Sequence, residues 1–366
     1  MRRWLLLCVA LPGIVNVLLL VRPLAVWADC VIETASETRE ALVKHLSNGC
    51  TEDERRAHAV QADEVLRAIG QGRAVDLDGV VMVGDVLLDQ LPLTPVPTSD
   101  QNPPIRELLA SRRVKDVRVV SQPIAIRDSR IEGTIATRLK EGYVLMRGPL
   151  TMTGTTFEGM LDLSHMLFNE PVNLSDAVFR REAYFIHAVF TQPARFERTA
   201  FGVHTRFHRA RFADNVTFER ARFNGLAEFL EVTFEKESSF VRSHFTMGTG
   251  FSGARFNGVA DFSDTVFGRE AFFLFTHFDG DARFRGTTFR GQADFSDAEF
   301  HGSDNFSSVS FAADPLFQRA KLSGSPPARG ALQRSQYFYG MAASFLVFTV
   351  LLVWVLRKRS LNDHHI

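Results

Sequence analysis

From Phe157 to Phe317 a phenylalanine or leucine recurs at spacings that alternate six and five, so the pattern repeats every 11 residues. The series opens Phe157, Leu163, Phe168, Leu174, Phe179, Phe185, Phe190, Phe196 and closes Phe289, Phe295, Phe300, Phe306, Phe311, Phe317, without a break in register. A short, unbroken period of this kind specifies a solenoid, in which each repeat buries its apolar side against its neighbours. Two residues before each ring the side chain is small, as at Ala177, Ala183, Ala188, Ala194, Thr199 and Thr205. Residues two apart on extended backbone share a face, so the small residue and the ring both point inward. The residue between them points out and is often charged: Arg195, Arg206, Arg211, Arg222, Glu228, Arg255, Asp261, Asp294. Turn formers follow the rings, as in Asn224-Gly225, Asn257-Gly258, Ser263-Asp264 and Asp279-Gly280.

Ala260-Asp261-Phe262-Ser263-Asp264 and Ala293-Asp294-Phe295-Ser296-Asp297 are the clearest copies of the unit: small, polar, central ring, two turn residues. In this the chain resembles the pentapeptide-repeat family. The resemblance implies an all-β solenoid, a right-handed quadrilateral β-helix of four five-residue faces. One residue added at alternate corners makes about 22 residues per coil here. It also implies a bacterial host. Some members of that family mimic duplex DNA and bind type II topoisomerases, a role that needs a strongly acidic rod in the cytosol. Here arginines interrupt the surface and 42 basic residues balance 42 acidic ones, which gives no electrostatic case for nucleic acid.

The ends point to export. Met1-Arg2-Arg3, an apolar run from Trp4 to Leu20 and the small-residue site Val26-Trp27-Ala28 are laid out as a signal peptide over 1–28. Tyr337 to Leu356 is an uncharged run followed by Arg357-Lys358-Arg359, which reads as a transmembrane helix (337–356) with a cytoplasmic tail (357–366). The expected place is the bacterial inner membrane, single-pass, with the solenoid on the periplasmic side. Cys30 and Cys50 are the only cysteines left after the signal, and an exported pair is expected to form a disulfide.

Residues 29–72 predict a helical N-terminal cap. One helix would run through Leu42, Val43 and Leu46; a second, opened by a capping box at Thr51–Glu54, would stop at Gly70. Residues 73–150 predict irregular early coils, with a Pro-rich excursion from Pro92 to Pro104 and a short helix near Ile105 to Ser111; 151–317 predict the regular repeat and 318–336 a linker.

The chemistry-bearing motifs are weak. Gly248-Thr249-Gly250-Phe251-Ser252-Gly253 matches a dinucleotide-binding string, but it stands in repeat register and no helical pattern follows. His165, His187, His204, His208, His244, His277 and His301 are scattered, and only His204 and His208 lie close in sequence. Asp162, Glu228 and Asp294 share an outer column with Arg206, the arrangement a carbohydrate-active β-helix enzyme would need. No catalytic, cofactor-binding or metal-binding residues and no small-molecule substrate are expected. One feature exceeds what packing requires. Tyr184, Ile186, Leu230, Phe272 and Leu274 fall on outward positions of one face with Phe275 at its corner, and Ile186, Leu230 and Leu274 repeat at 44 residues. This apolar stripe is the expected contact for a protein partner or for self-association. The sequence therefore predicts a non-enzymatic, membrane-anchored scaffold; a carbohydrate-active enzyme and a DNA mimic are the alternatives.

Overall fold

The computed structural model describes residues 30–96 and 101–323. They form a four-faced β-solenoid whose faces hold 12, 11, 9 and 10 strands, parallel except where Ile32–Glu37 and Leu93–Pro95 join antiparallel. We call the faces A to D in the order the chain visits them within a coil. Partners across coils are 22 residues apart: Ala194 pairs with Val216 on face A, Phe201 with Phe223 on B, Ala227 with Thr249 on C and Phe212 with Phe234 on D. The expected signal segment, transmembrane helix, tail and most of the linker lie outside the described residues. Among the described residues no helix is long and apolar enough to cross a membrane.

The inward rings stack in four columns. Ring centroids within a column are separated by 4.5 Å at Phe223–Phe245 and by at most 5.3 Å, at Phe179–Phe201. Across the core, rings meet edge to face, as Phe207 and Phe218 do at 5.5 Å. Both arrangements suit the ring quadrupole. Four threonines in the small slot, Thr199, Thr265, Thr276 and Thr287, each donate to a main-chain carbonyl of the preceding coil, whereas the buried Thr249 hydroxyl has no partner. The two kinds of corner differ. At the five-residue corners the residue two after the ring takes a left-handed conformation, as Arg198 (φ 55°), Arg220 (φ 57°) and Phe275 (φ 55°) do.

The early coils belong to the same solenoid. Face A runs unbroken from Ala41–Leu46 through Ala74–Asp78, Ile124–Arg127 and Leu150–Thr151 into the Phe coils. Their inward residues are Ile, Leu, Met and Val, which fill less space than rings. An aliphatic cavity of about 30 Å³ remains, lined by Val65, Ile69, Met146, Met152, Leu163 and Met166 among others.

The N-terminal cap corrects the helical expectation. Ile32–Glu37 (β1) and Ala41–Leu46 (β2) are strands, paired antiparallel, and β2 joins Ala74–Asp78 in parallel. Leu42 and Leu46 are buried at a spacing that suits one helix face and one strand face equally. The free edge of Ala74–Asp78 decides between them by offering backbone partners, and Thr38 closes the hairpin by accepting from the amides of Glu40 and Ala41. The second expected helix is two: Glu52–Ala57 (α1), with the Thr51–Glu54 capping box, and Ala62–Gly70 (α2). Val60–Gln61 (β3) separates them by pairing with Met82–Val83 on face B. Helix α2 lays Val65, Ala68 and Ile69 over the core, and Cys30 is bridged to Cys50.

The Pro-rich excursion leaves face D, and its helix Pro103–Ser111 (α3) returns against it. Ile105 and Leu109 pack on the outward residues Leu145, Leu167 and Val189. Asn102 fixes the entry by bonding to Asn169 and to the Thr191 hydroxyl.

Candidate protein-interaction face

Face C carries the expected stripe. Its central outward column runs Asp162, Tyr184, Arg206, Glu228, Gly250, Phe272, Asp294, each paired with the next. Phe272 and Phe275 are 39% and 57% exposed. Tyr184, Ile186, Leu230 and Leu274 are half-buried.

The stripe divides in two. Phe272, Leu274 and Phe275 stand on one coil, and Leu230, two coils earlier, leans over Gly250, which pairs with Phe272; Tyr184 and Ile186 lie two coils before Leu230. Between them the Arg206 guanidinium lies 5.4 Å from the centre of the Tyr184 ring and 2.9 Å from Glu228. His204 reaches the same Glu228 oxygen at 3.1 Å. Burial pushes the Tyr184 hydroxyl above its ordinary value, and the nearby Arg206 opposes the shift.

The patch is wider than the sequence reading had it. Val203, Leu226 and Met247 at the adjoining corner are also exposed, so face C and its corners hold five of the eight exposed large apolar side chains of the described residues. A concentration of that kind is unusual for a surface that needs only to be wet. Val203 and Met247 are 44 residues apart, the same signal that marked the stripe.

Gly250 explains the shape of the patch. A Cβ on Gly250 would stand 2.9 Å from Leu230 Cδ2, so the absence of a side chain lets Leu230 lie across the next coil. At Gly248 a Cβ would meet Leu226 Cδ2 at 3.6 Å, an ordinary contact, so only Gly250 is required by its neighbour. The glycine string thus serves packing: Thr249 fills the small slot, Phe251 is an inward ring, and no helix follows.

Phe275 is held at a cost. Its φ of 55° lies in the left-handed region, disfavoured for a residue with a Cβ, and its ring is more than half exposed. The equivalent position is Gly253 one coil earlier and Asp297 one coil later, and His187, Arg209, Glu231 and Arg319 take the same conformation in other coils, so the corner imposes it on any residue type.

The carboxylates of the outer column do not converge. Asp162, Glu228 and Asp294 stand three coils apart, about 14 Å at the usual strand spacing. Asp162 and Asp294 each accept from a nearby serine amide. Among the described residues no group of His, Cys, Asp and Glu could hold a metal ion. Two histidines that looked scattered do meet: the His165 and His187 rings are 5.2 Å apart at the C–D corner, with Tyr143 5.8 Å beyond His165. Their 22-residue separation was the signal for this contact.

The family model for pentapeptide repeats (9 copies) matches residues 163–211, 240–288 and 262–310. These stretches of the Phe coils are similar to pentapeptide repeats, and they cover about a third of the chain. The matched stretches include the faces that carry Tyr184, Ile186, Phe272, Leu274 and Phe275, so the patch is built on repeat positions and not on an insertion. No curated protein and no solved structure matches this chain.

Proposed function

We propose that this protein is a non-enzymatic pentapeptide-repeat scaffold, anchored in a bacterial inner membrane, that presents face C to a protein partner or to a second copy. The anchor and the export signal rest on the sequence of Trp4–Leu20 and Tyr337–Leu356. The observation that carries the reading is Phe275. Its ring is more than half exposed where packing does not require it, on the same coil as the exposed Phe272. Rigid stacking of the coils holds these side chains in fixed relation, which lowers the ordering cost of binding.

The test is in-cell crosslinking and co-purification of the full chain beside a Phe272→Asp control. A protein captured by the wild type and lost in the variant supports the scaffold. Equal recovery from both removes face C from the proposal.

A further inference from the structure

The outward residues of face C are arranged about one bare strand. That strand is Thr249–Gly250, and with Gly248 before it and Gly253 at its corner the coil presents little but backbone there. Two coils earlier stand Arg206 in the central column and Arg209 at the left-handed corner. Two coils later the same two positions hold Asp294 and Asp297. In the column beside them, Leu230 lies 22 residues before Ser252 and Leu274 lies 22 after it. Cations on one side, acids on the other and leucines at equal distances make a surface that is complementary to itself when reversed end to end.

A two-fold axis lying across the rod at Gly250 performs that reversal. It turns a second copy antiparallel and sets each residue of a column against the one an equal number of coils beyond the axis. Arg206 then meets the partner's Asp294, Arg209 the partner's Asp297 and Leu230 the partner's Leu274, each contact made twice, as in any isologous interface. Asp294 is open to such a cation, since among the described residues it accepts from the Ser296 amide and forms no ion pair. Phe272 and Phe275 come over the partner's Glu228 and Glu231, whose carboxylates are already held by Arg206 at 2.9 Å and Arg209 at 2.8 Å. The trough over Gly250, into which Leu230 leans, faces its own copy, so leucines and rings of both chains close over it.

Other registers fail on charge. Parallel rods would set Arg206, Glu228 and Asp294 each against its own copy. An antiparallel axis half a coil further on would set Glu228 against Asp294 and Glu231 against Asp297.

We propose that the occupant of face C is a second copy of this chain, bound antiparallel about a two-fold axis that crosses the rod at Gly250. The inference rests on the reading of face C as a contact surface and names what it contacts. Each copy leaves its last described coil at Ser323, about three coils from the axis, so the two exits stand roughly 30 Å apart along the pair. Rods lying along a bilayer in this arrangement can send both chains into the same membrane.

The test uses the purified full chain in detergent, its protein mass measured by light scattering over a concentration series. The wild type is expected to be a dimer. Arg206→Glu and Asp294→Arg each bring like charges together and are expected to weaken it by about a hundredfold or more. An equimolar mixture of the two variants is expected to dimerise again, because the exchanged charges then meet their opposites; recovery also shows that both variants fold. Ser252 lies beside the axis, so Ser252→Cys is expected to link two chains on oxidation, whereas Ser239→Cys on face A does not. A wild type that stays monomeric far above micromolar concentration overturns the inference. So does a dimer that either charge variant leaves intact, or one that the mixture fails to restore. The scaffold reading fails separately, if Phe272→Asp captures the same proteins in cells as the wild type. A monomeric wild type together with capture lost in Phe272→Asp overturns the second copy and leaves that reading in place.

Discussion

Replacing Phe275 by asparagine separates a binding role from a structural one. Two terms of opposite sign enter the stability. Removing a Cβ-bearing aromatic from the left-handed region relieves about 1–2 kcal/mol, and asparagine tolerates that conformation. Against this, less than half of the ring is buried, so the burial lost is a fraction of the roughly 1.5–3 kcal/mol of a fully buried phenylalanine, about 1 kcal/mol. The expected net change is within about 1 kcal/mol of zero. Two positions away Phe273 is fully buried and stacks on Phe251 at 5.0 Å and Phe295 at 4.8 Å. There, truncation to alanine costs about 3–5 kcal/mol. Urea midpoints of Phe275→Asn and Phe273→Ala, measured beside partner capture by the full chain, give the comparison. The expected result for Phe275→Asn is an unchanged midpoint with capture lost. A loss above about 2 kcal/mol would mean that the ring is covered and structural, and full capture would mean that it is not a contact; either refutes the reasoning.

Phe223→Asp places a charge between rings 4.7 and 4.5 Å away, and limited proteolysis is expected to open several coils around it; an unchanged digest contradicts the register. Leu163→Phe extends the column below Phe185 into the cavity of about 30 Å³; at roughly 24 cal/mol per Å³ and one added ring contact it is expected to raise stability by about 1 kcal/mol, seen as a higher urea midpoint. Burial raises the Asp76 carboxyl, but bonds from Arg127 and His45 outweigh it and hold the group below its ordinary value; the stability this gives is present above that ordinary value and is lost as pH falls through the lower folded value, so the urea midpoints of wild type and Asp76→Asn should converge progressively as pH is lowered through that range. Cys30→Ser opens a link between residues 20 apart and is expected to cost about 3 kcal/mol in the chain-entropy account, a loss that a reducing agent should reproduce in the wild type.

The Phe coils were legible because one side chain type fills nearly every inward position, which makes period and register visible without tertiary information. The early coils use Ile, Leu, Met and Val, whose pattern is less distinctive, so they were read as irregular coils of the solenoid without a register. The N-terminal hairpin was misread because the spacing of Leu42 and Leu46 serves either element, and the deciding edge, Ala74–Asp78, lies 30 residues on. The patch on face C was found through the 44-residue spacing, yet Val203 and Met247 carry the same spacing and were passed over. His165 and His187 were missed because neighbours were sought along the chain, when in a solenoid they lie 22 residues away. Leu145 and Leu167 also stand 22 apart, so the stripe on face D was present in the sequence. That α3 lies over it was not, because the return path of an excursion depends on packing that no local pattern encodes.

The two kinds of corner alternate, so the coil has a half-turn as well as a full turn. Eleven residues carry the chain from face A to face C, or from B to D, with the same succession of small slot, ring and corner. Loss or duplication of 22 residues would lengthen or shorten the rod by one step of about 4.8 Å and leave every face where it was. Loss or duplication of 11 would be nearly silent to the ring columns, yet would turn everything beyond it to the opposite side. A gene of this design can therefore change reach or bearing independently, each by one small event, and the core would not record which had occurred.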